Sequence, residues 1–284
     1  MRILVNQYPG VIFLLLILSA CSGPRYYTYT PSPGVMPFFK EKGDATAGAA
    51  LTVVSEDGEK LNSGIQAKGA YAITDHLAIT ASFSGNKQVE AYSKNWSDGL
   101  HNYDSNFIRY NNRITELGAG YFTTLQNGKT TLNIYGGVGF GKNKITDIAQ
   151  LTDNTYLLSY LNTTVKKYWL QPSVHHITGR RFNIGIATRL TLLDQKKLHT
   201  NWTEEQLKAR DLDKLGSKMF FYIEPSILMQ VAVFPRWLNL DVGFVFCPDV
   251  RTDQYGIVDD TRRMRSRSFM FHIGLSADIK KLFK

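Results

Sequence analysis

Two histidines stand near carboxylates in polar stretches of the chain, and an imidazole beside a carboxylate is a pairing used in general acid–base catalysis. His101 lies between Asp98 and Asp104. His199 follows Asp194. The sequence offers no Gly-x-Ser-x-Gly, no His-Glu-x-x-His and no phosphate-binding glycine loop to accompany them. We therefore predict solvated histidines, no catalytic residue, no metal site and no cofactor.

A second reactive side chain, the thiol of Cys21, ends an apolar run that begins at Val11. One early positive charge (Arg2), a short apolar core and small residues before the cysteine are the parts of a secretory signal. Leu18-Ser-Ala-Cys21 also resembles the lipobox of bacterial lipoproteins. That resemblance predicts a lipoprotein signal peptide over residues 1–20 and acylation of Cys21, for instance with palmitate. The alternative is an ordinary signal peptide followed by a chance cysteine.

Length and charge narrow the classes of protein. The run after Val11 is shorter than the roughly 20 residues that a transmembrane helix needs, and no later segment approaches that length. Without residues 1–20 the formal charge falls from +9 to +8 and the length from 284 to 264 residues, which suits one large domain. Acylated Cys21 would leave Cys247 without a disulfide partner. In an exported, lipid-anchored chain, positive charge favours anionic lipid over nucleic acid.

From residue 45 onward apolar and polar residues alternate, which predicts β-strands with one apolar face. Residues 131–141 are the clearest case, with Leu132, Ile134 and Val138 on one face. The glycines of this stretch, Gly137, Gly139 and Gly141, fall on the other face, where we expect close packing. Ten such segments occur, at 45–54, 64–73, 76–84, 109–123, 130–146, 163–177, 181–193, 218–234, 237–248 and 267–278.

Short and long connections alternate between these segments. The long, polar ones cover 55–63, 85–108, 147–162, 194–217 and 249–266. Short turns at one end and long loops at the other are typical of an all-β, antiparallel up-and-down transmembrane barrel, with the short turns and both barrel termini in the periplasm. A soluble lipocalin-like barrel is the alternative, and it would have an apolar interior and a polar outer wall.

Aromatic residues fall near both ends of the predicted strands, as in the interfacial girdles of membrane barrels. The short-turn group is Tyr71, Tyr121, Phe122, Phe182, Phe234 and Trp237, and the long-loop group is Tyr110, Tyr168, Trp169, Phe220, Phe221 and Phe269.

Ionisable residues of both signs lie on the polar faces, which would line the barrel interior. They are Lys68, Glu116, Lys167, Arg189, Glu224 and Asp241, with His175 and His272. Opposite charges at close range could cross-link the lumen. Because side chains nearly fill the interior of so small a barrel, we predict a plugged lumen, with a narrow selective pore as the alternative.

Two of the long loops have features of their own. Thr203-Glu-Glu-Gln206 resembles a capping box and predicts a short helix through Leu207, Leu212 and Leu215 that Gly216 ends. The last loop carries four arginines, Arg262, Arg263, Arg265 and Arg267. Arginine forks suit phosphate oxygens, so these residues are candidates for contact with lipopolysaccharide, although Asp259 and Asp260 could equally balance them in a solvated loop.

Residues 21–44 are rich in Pro and Tyr, which predicts an extended linker from the acylated cysteine to a barrel formed by residues 45–284. The simplest linker spans from the membrane face to the first strand, with acyl chains in the inner leaflet beside the periplasmic barrel termini. Partial threading into the lumen, or a path along the wall, is the alternative.

Taken whole, the chain resembles the lipidated small outer-membrane β-barrel proteins of Gram-negative bacteria. One departure is the penultimate position of Phe283, because many such barrels end on an aromatic residue. The resemblance implies a lipid-anchored outer-membrane protein with a structural or surface-interaction role. Its partners would be membrane lipid, lipopolysaccharide and an unidentified surface or periplasmic protein. The alternatives are a barrel enzyme acting on lipid or peptide at the external rim and a lipocalin-like periplasmic carrier.

Overall fold

The computed structural model describes residues 26–54, 62–92, 96–97, 102–126, 128–179, 181–210, 212–217, 219–233, 237–247, 265–266 and 269–282. Several predicted residues lie outside these ranges: Cys21, His101, Arg262, Arg263 and Arg267. Of Arg265 only the backbone is described.

Ten antiparallel strands form a closed ring. Each strand pairs with the next one along the chain, and β10 pairs with β1 to close the barrel. The strands are β1 (Ala45–Val54), β2 (Asn62–Ala72), β3 (Leu77–Tyr92), β4 (Asn102–Thr124), β5 (Thr130–Leu151), β6 (Tyr156–Ile177), β7 (Phe182–Thr200), β8 (Met219–Ala232), β9 (Leu238–Phe246) and β10 (Phe269–Asp278). The predicted up-and-down barrel of ten strands is confirmed.

The two ends of the barrel differ in their connections. Residues 73–76, 125–129, 178–181 and 233–237 make the short connections at one end, which we call the short-turn end. Gly128 has φ +64°, a left-handed conformation that glycine adopts without strain and that a tight turn needs here. The opposite end, where the remaining connections lie, is called the long-loop end.

Several strands continue far beyond the predicted boundaries at the long-loop end. β3 reaches Tyr92, and β7 reaches Thr200. Most of the predicted loop at 147–162 is strand, and residues 152–155 alone connect β5 to β6. The prediction of a long loop there was wrong. In the extension of β7, Asp194-Gln195-Lys196 has polar residues at consecutive positions, so the alternation that marks a strand is interrupted while the backbone pairing with β6 continues.

Large apolar side chains cover the outside of the barrel, and polar side chains line the inside. Leu51 is 60% exposed and Leu117 57%, whereas Glu116, next to Leu117 in the chain, is 2% exposed. All ten strands contribute to the exposed apolar surface, with Leu51, Ile65, Ile79, Leu117, Phe140, Leu170, Ile186, Ile227, Phe246 and Ile273. A polar interior with an apolar outer wall is the arrangement of a barrel in lipid and the reverse of the lipocalin-like alternative.

Four aromatics assigned to the predicted girdles instead point inward. Tyr121 and Tyr168 are exposed outside, but their neighbours Phe122 and Trp169 are buried in the lumen. Since successive strand residues face opposite sides, two adjacent aromatics cannot both belong to an outer girdle. Tyr110 and Phe220 are buried in the same way, whereas Tyr71, Phe221 and Phe269 remain on the outer surface.

Two short helices accompany the strands. In α1 (Glu204–Ala209) the Thr203 hydroxyl accepts a hydrogen bond from the Gln206 amide and the Gln206 side chain accepts one from the Thr203 amide, so the predicted capping box is confirmed. The helix ends before Leu212, earlier than predicted. α2 (Ile279–Leu282) follows β10. Neither described helix is long and apolar enough to cross a membrane.

Candidate functional site

Residues 26–39, which we call the lumenal segment, run through the inside of the barrel. Tyr26, Tyr29, Ser32, Val35 and Phe39 are all at least 95% buried, although no regular strand of the barrel contains them. For these residues of the predicted 21–44 linker, the structure has the arrangement threaded into the lumen. The lumenal segment is therefore part of the barrel interior.

Contacts with β4 give the direction of the lumenal segment. The Tyr27 ring lies 6.2 Å from the Tyr110 ring, and the Phe39 ring lies 5.7 Å from the Phe122 ring. Between them, Asn112 Nδ2 donates a hydrogen bond of 3.0 Å to the Thr30 hydroxyl. The lumenal segment therefore runs in the same direction as β4, from the long-loop end, where β4 begins, to the short-turn end, where β4 finishes.

Contacts with β6 and β7 agree with this direction. β6 runs toward the short-turn end. Along it, Gln171 Nε2 donates to the Val35 carbonyl at 3.0 Å, and further on the His175 ring lies 4.4 Å from the Phe38 ring. On β7, which runs the opposite way, Gln195 Nε2 donates to the backbone carbonyl at position 28 at 2.6 Å. The segment thus begins at the long-loop end and finishes at the short-turn end.

At the middle of the lumen the segment meets a buried ion cluster centred on Glu116. Lys167 Nζ lies 2.9 Å from Glu116 Oε1, and Arg189 Nη1 lies 2.9 Å from Glu116 Oε2. Glu224 Oε1 is 3.8 Å from Lys167 Nζ. The cluster therefore holds two carboxylates and two cations, and the opposite charges lie close enough to compensate one another.

Side chains of the lumenal segment complete the hydrogen bonding of this cluster. The Ser32 hydroxyl donates to Glu116 Oε1 at 2.8 Å and accepts from Lys167 Nζ at 3.1 Å. The Tyr29 hydroxyl donates to Glu224 Oε1 at 2.7 Å. Buried ions are tolerated when their remaining hydrogen-bonding positions are occupied, so the segment contributes to the stability of the charged interior.

Arg189 is also held from its other side. Its Nε and Nη2 donate to Gln171 Oε1 at 3.0 and 2.8 Å, and its guanidinium lies 4.6 Å from the centre of the Trp169 ring. The Trp169 ring in turn occupies the space above Gly118 and Gly137, where a Cβ would lie 2.5–2.6 Å from ring carbons. The two glycines let the indole lie flat against the wall, beside the segment.

A second ion pair lies nearer the short-turn end of the lumen. Lys68 Nζ is 2.7 Å from Asp241 Oδ2. Asp241 Oδ1 accepts hydrogen bonds from Gln230 Nε2 at 2.9 Å and from the Ser276 hydroxyl at 2.8 Å. The six interior residues named from the sequence thus divide into one group of four around Glu116 and this separate pair.

The long-loop end of the lumen is covered by an aromatic and aliphatic group. The Tyr26 hydroxyl donates to Asp147 Oδ2 at 2.6 Å, and its ring lies 5.5 Å from that of Trp202, edge to face. The Arg210 guanidinium lies 5.1 Å from the Trp202 ring centre. Leu207 of α1 is buried in the same cluster. The helix therefore packs as a cover over the entrance of the lumenal segment.

A small cavity of about 30 Å³ remains beside the segment, lined by Asn86, Asn112 and Asn143 among others. That volume accommodates one or two water molecules. Among the described residues, no group of three His, Cys, Asp or Glu side chains is placed to hold a metal ion.

The described histidines His175, His199 and His272 lie on three different strands, β6, β7 and β10. His199 Nε2 shares a hydrogen bond of 2.9 Å with the Tyr160 hydroxyl on the exposed long-loop end. His175 is buried against Phe38, and His272 is buried in the lumen beside Gly243. Absence of enzymatic activity stays a prediction.

At the short-turn end an exposed ionic contact joins the two ends of the barrel sequence. Lys280 Nζ lies 2.6 Å from Glu41 Oε1 and 3.0 Å from Asp44 Oδ1. Hydrogen bonds to Glu41 and then Asp44 raise the pKa of the Lys280 ammonium above its usual value of 10.5. This contact fixes the chain where it leaves the lumen and enters β1.

Sequence reasoning named the charged wall residues but none of their partners on the lumenal segment. Ser32, Tyr29 and Tyr26 carry no periodic pattern, and each contacts a residue 84 to 195 positions away. The available signal was compositional, since a stretch rich in Tyr and Pro with no charged residue from Tyr26 to Phe39 is unusual for a solvated linker.

The sequence matches no known family. Among curated proteins, the nuclear pore complex protein NUP160 of Arabidopsis thaliana is 25% identical over 41% of this chain, and the match spans 8% of that protein. So short a share of a much longer protein gives no basis for a common function.

Several solved structures resemble the fold. Neisserial surface protein A (NspA) has a TM-score of 0.32 and 12% identity, covering 83% of this chain and 96% of its own. The monoaromatic hydrocarbon channel CymD has a TM-score of 0.36 and 7% identity, covering 84% of this chain and 89% of its own. Ail, the attachment invasion locus protein of Yersinia pestis, has a TM-score of 0.27 and 16% identity, covering 54% of this chain and 88% of its own. TM-scores this low do not bear on function, and the strand pairing defines the barrel on its own.

Proposed function

We propose that this chain is a lipid-anchored outer-membrane barrel whose lumen is closed by its own lumenal segment, and that it has a structural or surface-interaction role. The observation that carries the proposal is the contact of Ser32 with Glu116 and Lys167 at the centre of the barrel. A segment hydrogen-bonded to the wall ions occupies the space that a conducting channel would need.

The apolar outer wall supports the location. Exposed residues such as Leu117 and Phe140, at 57% and 58%, would be costly in water but suit the hydrocarbon of a bilayer. Secretion through a lipoprotein signal, with acylation at Cys21, would take the chain there. The long-loop end would then face the outside and offer the surface for a protein partner.

Conductance in planar bilayers tests the closed lumen. The natural chain should give no steady current steps. A matched variant has residues 26–39 replaced by a Gly/Ser segment of equal length, and it should conduct because the wall ions then face water. Both proteins must show heat-modifiable gel mobility, which reports a folded barrel. Steady conductance by the natural chain would contradict the proposal.

Lipopolysaccharide is proposed as a partner on the strength of the four arginines near residue 265. Replacing Arg262, Arg263, Arg265 and Arg267 by serine should lower the lipopolysaccharide that co-purifies with the barrel. Unchanged retention would remove this partner while leaving the closed-barrel proposal intact.

A further inference from the structure

The threading direction has a topological consequence for the chain before Tyr26. Tyr27 lies beside Tyr110, in the part of β4 near the long-loop end, and the chain leaves the lumen only after Phe39. The short strand Tyr27–Tyr29 also pairs in parallel with Arg265–Ser266, which precede the descending strand β10. Two independent neighbours therefore show that the chain enters the barrel from the long-loop end.

The residues between Cys21 and Tyr26 are too few to bring the chain back to the short-turn end. Fourteen positions separate Tyr110 from Thr124. At about 3.3 Å per residue and a tilt of about 40°, they span about 35 Å along the barrel axis. Five positions separate Cys21 from Tyr26. Even fully extended, they reach about 17 Å. The cysteine therefore cannot lie at the short-turn end.

We infer that Cys21 lies on the external side of the outer membrane, so that its acyl chains enter the outer leaflet. This inference rests on the proposed acylation and on the usual orientation of membrane barrels, with short turns in the periplasm. It replaces the expectation of acyl chains in the inner leaflet, which assumed that the linker stayed outside the lumen. The barrel would then display a lipidated N-terminus on the cell surface.

The packing of the lumen also bears on the order of assembly. Ser32 and Tyr29 are bonded to ions of three different strands, β4, β6 and β8. Two or three acyl chains cannot slide through a lumen that such contacts fill. The segment must therefore be in place, already acylated, when β10 pairs with β1 and the barrel closes around it.

Thiol labelling on cells tests the side of the membrane. The single substitution Pro24→Cys is treated with a maleimide that carries a long polyethylene glycol chain and does not cross the outer membrane. Thr152→Cys, exposed in the β5–β6 turn, serves as the external control, and Gln126→Cys, exposed in a short turn, as the internal control. The natural chain, in which Cys247 is buried, sets the background.

Labelling of Pro24→Cys on intact cells, to the extent seen for Thr152→Cys, is the expected result. Labelling only after permeabilisation, as for Gln126→Cys, overturns the inference. If the thiol is unreactive in both conditions, an epitope inserted after Pro24 is probed with antibody by the same criterion. Every variant is first checked for heat-modifiable mobility, so that a folding failure is recognised.

Incorporation of alkyne-palmitate separates the inference from the acylation on which it rests. The comparison chain has residues 1–21 replaced by an ordinary cleavable signal peptide. Lipid labelling of the natural chain with an internal Pro24→Cys means that acylation stands and the threading inference fails. An external Pro24→Cys without lipid labelling means that the threading stands and the lipid anchor fails.

Discussion

The Ser32 hydroxyl lies between an anion and a cation of the barrel wall, donating to Glu116 Oε1 at 2.8 Å and accepting from Lys167 Nζ at 3.1 Å. One small side chain on a segment outside the strands therefore bridges β4 and β6. Both wall groups are almost completely buried, so water cannot readily replace the hydroxyl. The lumenal segment is held by the charges that it covers.

Ser32→Ala should destabilise the barrel by about 1–3 kcal/mol, because a buried hydrogen bond to charged groups is lost without replacement. Denaturant unfolding in detergent micelles, followed by tryptophan fluorescence, measures the change. Ser63→Ala, at an exposed position of β2, is the control and should be neutral. Equal behaviour of the two variants would show that the bridge does not stabilise the fold.

The Lys68–Asp241 pair should behave as a coupled unit. Lys68→Met leaves a buried carboxylate that keeps only the Gln230 and Ser276 donors, so we expect a loss of about 3–5 kcal/mol. Adding Asp241→Asn removes the isolated charge, so the double variant should be less destabilised than the sum of the singles. Unfolding free energies of the four proteins in the cycle provide the measurement. Strict additivity would mean that the two charges do not interact.

How far the sequence predicts this architecture differs between the wall and the lumen. Alternation places Glu116 inside and Leu117 outside without any knowledge of the fold, because adjacent strand residues face opposite sides. The strand number follows in the same way. Strand ends do not, because alternation in apolarity stops at the edge of the lipid although pairing continues to Tyr92 and Thr200.

The contents of the lumen depend on contacts that local pattern does not contain. Ser32 is separated from Glu116 by 84 positions, and Tyr29 from Glu224 by 195. A short extended stretch has no periodic face that would indicate which wall it contacts. Its location becomes clear only when closure of the barrel creates a lumen whose charges need partners.

Two adjacent glycines of β5 should differ sharply in their tolerance of alanine. At Gly137 a Cβ would collide with the backbone carbonyl of Leu117 on the neighbouring strand and lie 2.6 Å from the Trp169 ring inside the barrel. Gly137→Ala should therefore destabilise the barrel by about 1–3 kcal/mol through overpacking. Gly136→Ala faces outward, 3.5 Å from its nearest neighbour, and should be close to neutral. The two variants are compared by the midpoint temperature at which each loses its heat-modifiable gel form. Equal midpoints would contradict the interior role of Gly137.

Arginine substitutions on the outer wall should report the position of the membrane. Leu117, which follows the central Glu116, is expected near the bilayer midplane, whereas Leu158 lies nine positions above Lys167 toward the long-loop end. Leu117→Arg should cost about 2–4 kcal/mol and Leu158→Arg at most about 1 kcal/mol. Refolding equilibria into phosphatidylcholine vesicles measure both. Comparable costs would contradict an apolar band centred on the middle of β4.

Lys280 should make the short-turn end sensitive to alkaline pH. Hydrogen bonds to Glu41 and Asp44 raise its pKa above 10.5. The ionic contact of Lys280 with these two carboxylates is therefore complete below that pH, and it is lost as pH rises through the folded pKa. A nitroxide attached at Lys40→Cys should therefore gain mobility in electron paramagnetic resonance spectra above about pH 10.5. In Lys280→Met the label should be mobile at every pH.

Lys281→Met is the matched control, because Lys281 contacts Asp278, 2.6 Å away, instead of the chain leaving the lumen. It removes one positive charge from the same helix and should keep the pH-dependent change in label mobility. If Lys280→Met retained that change, or if Lys281→Met abolished it, the alkaline transition would come from another group and not from the Lys280 contact with Glu41 and Asp44.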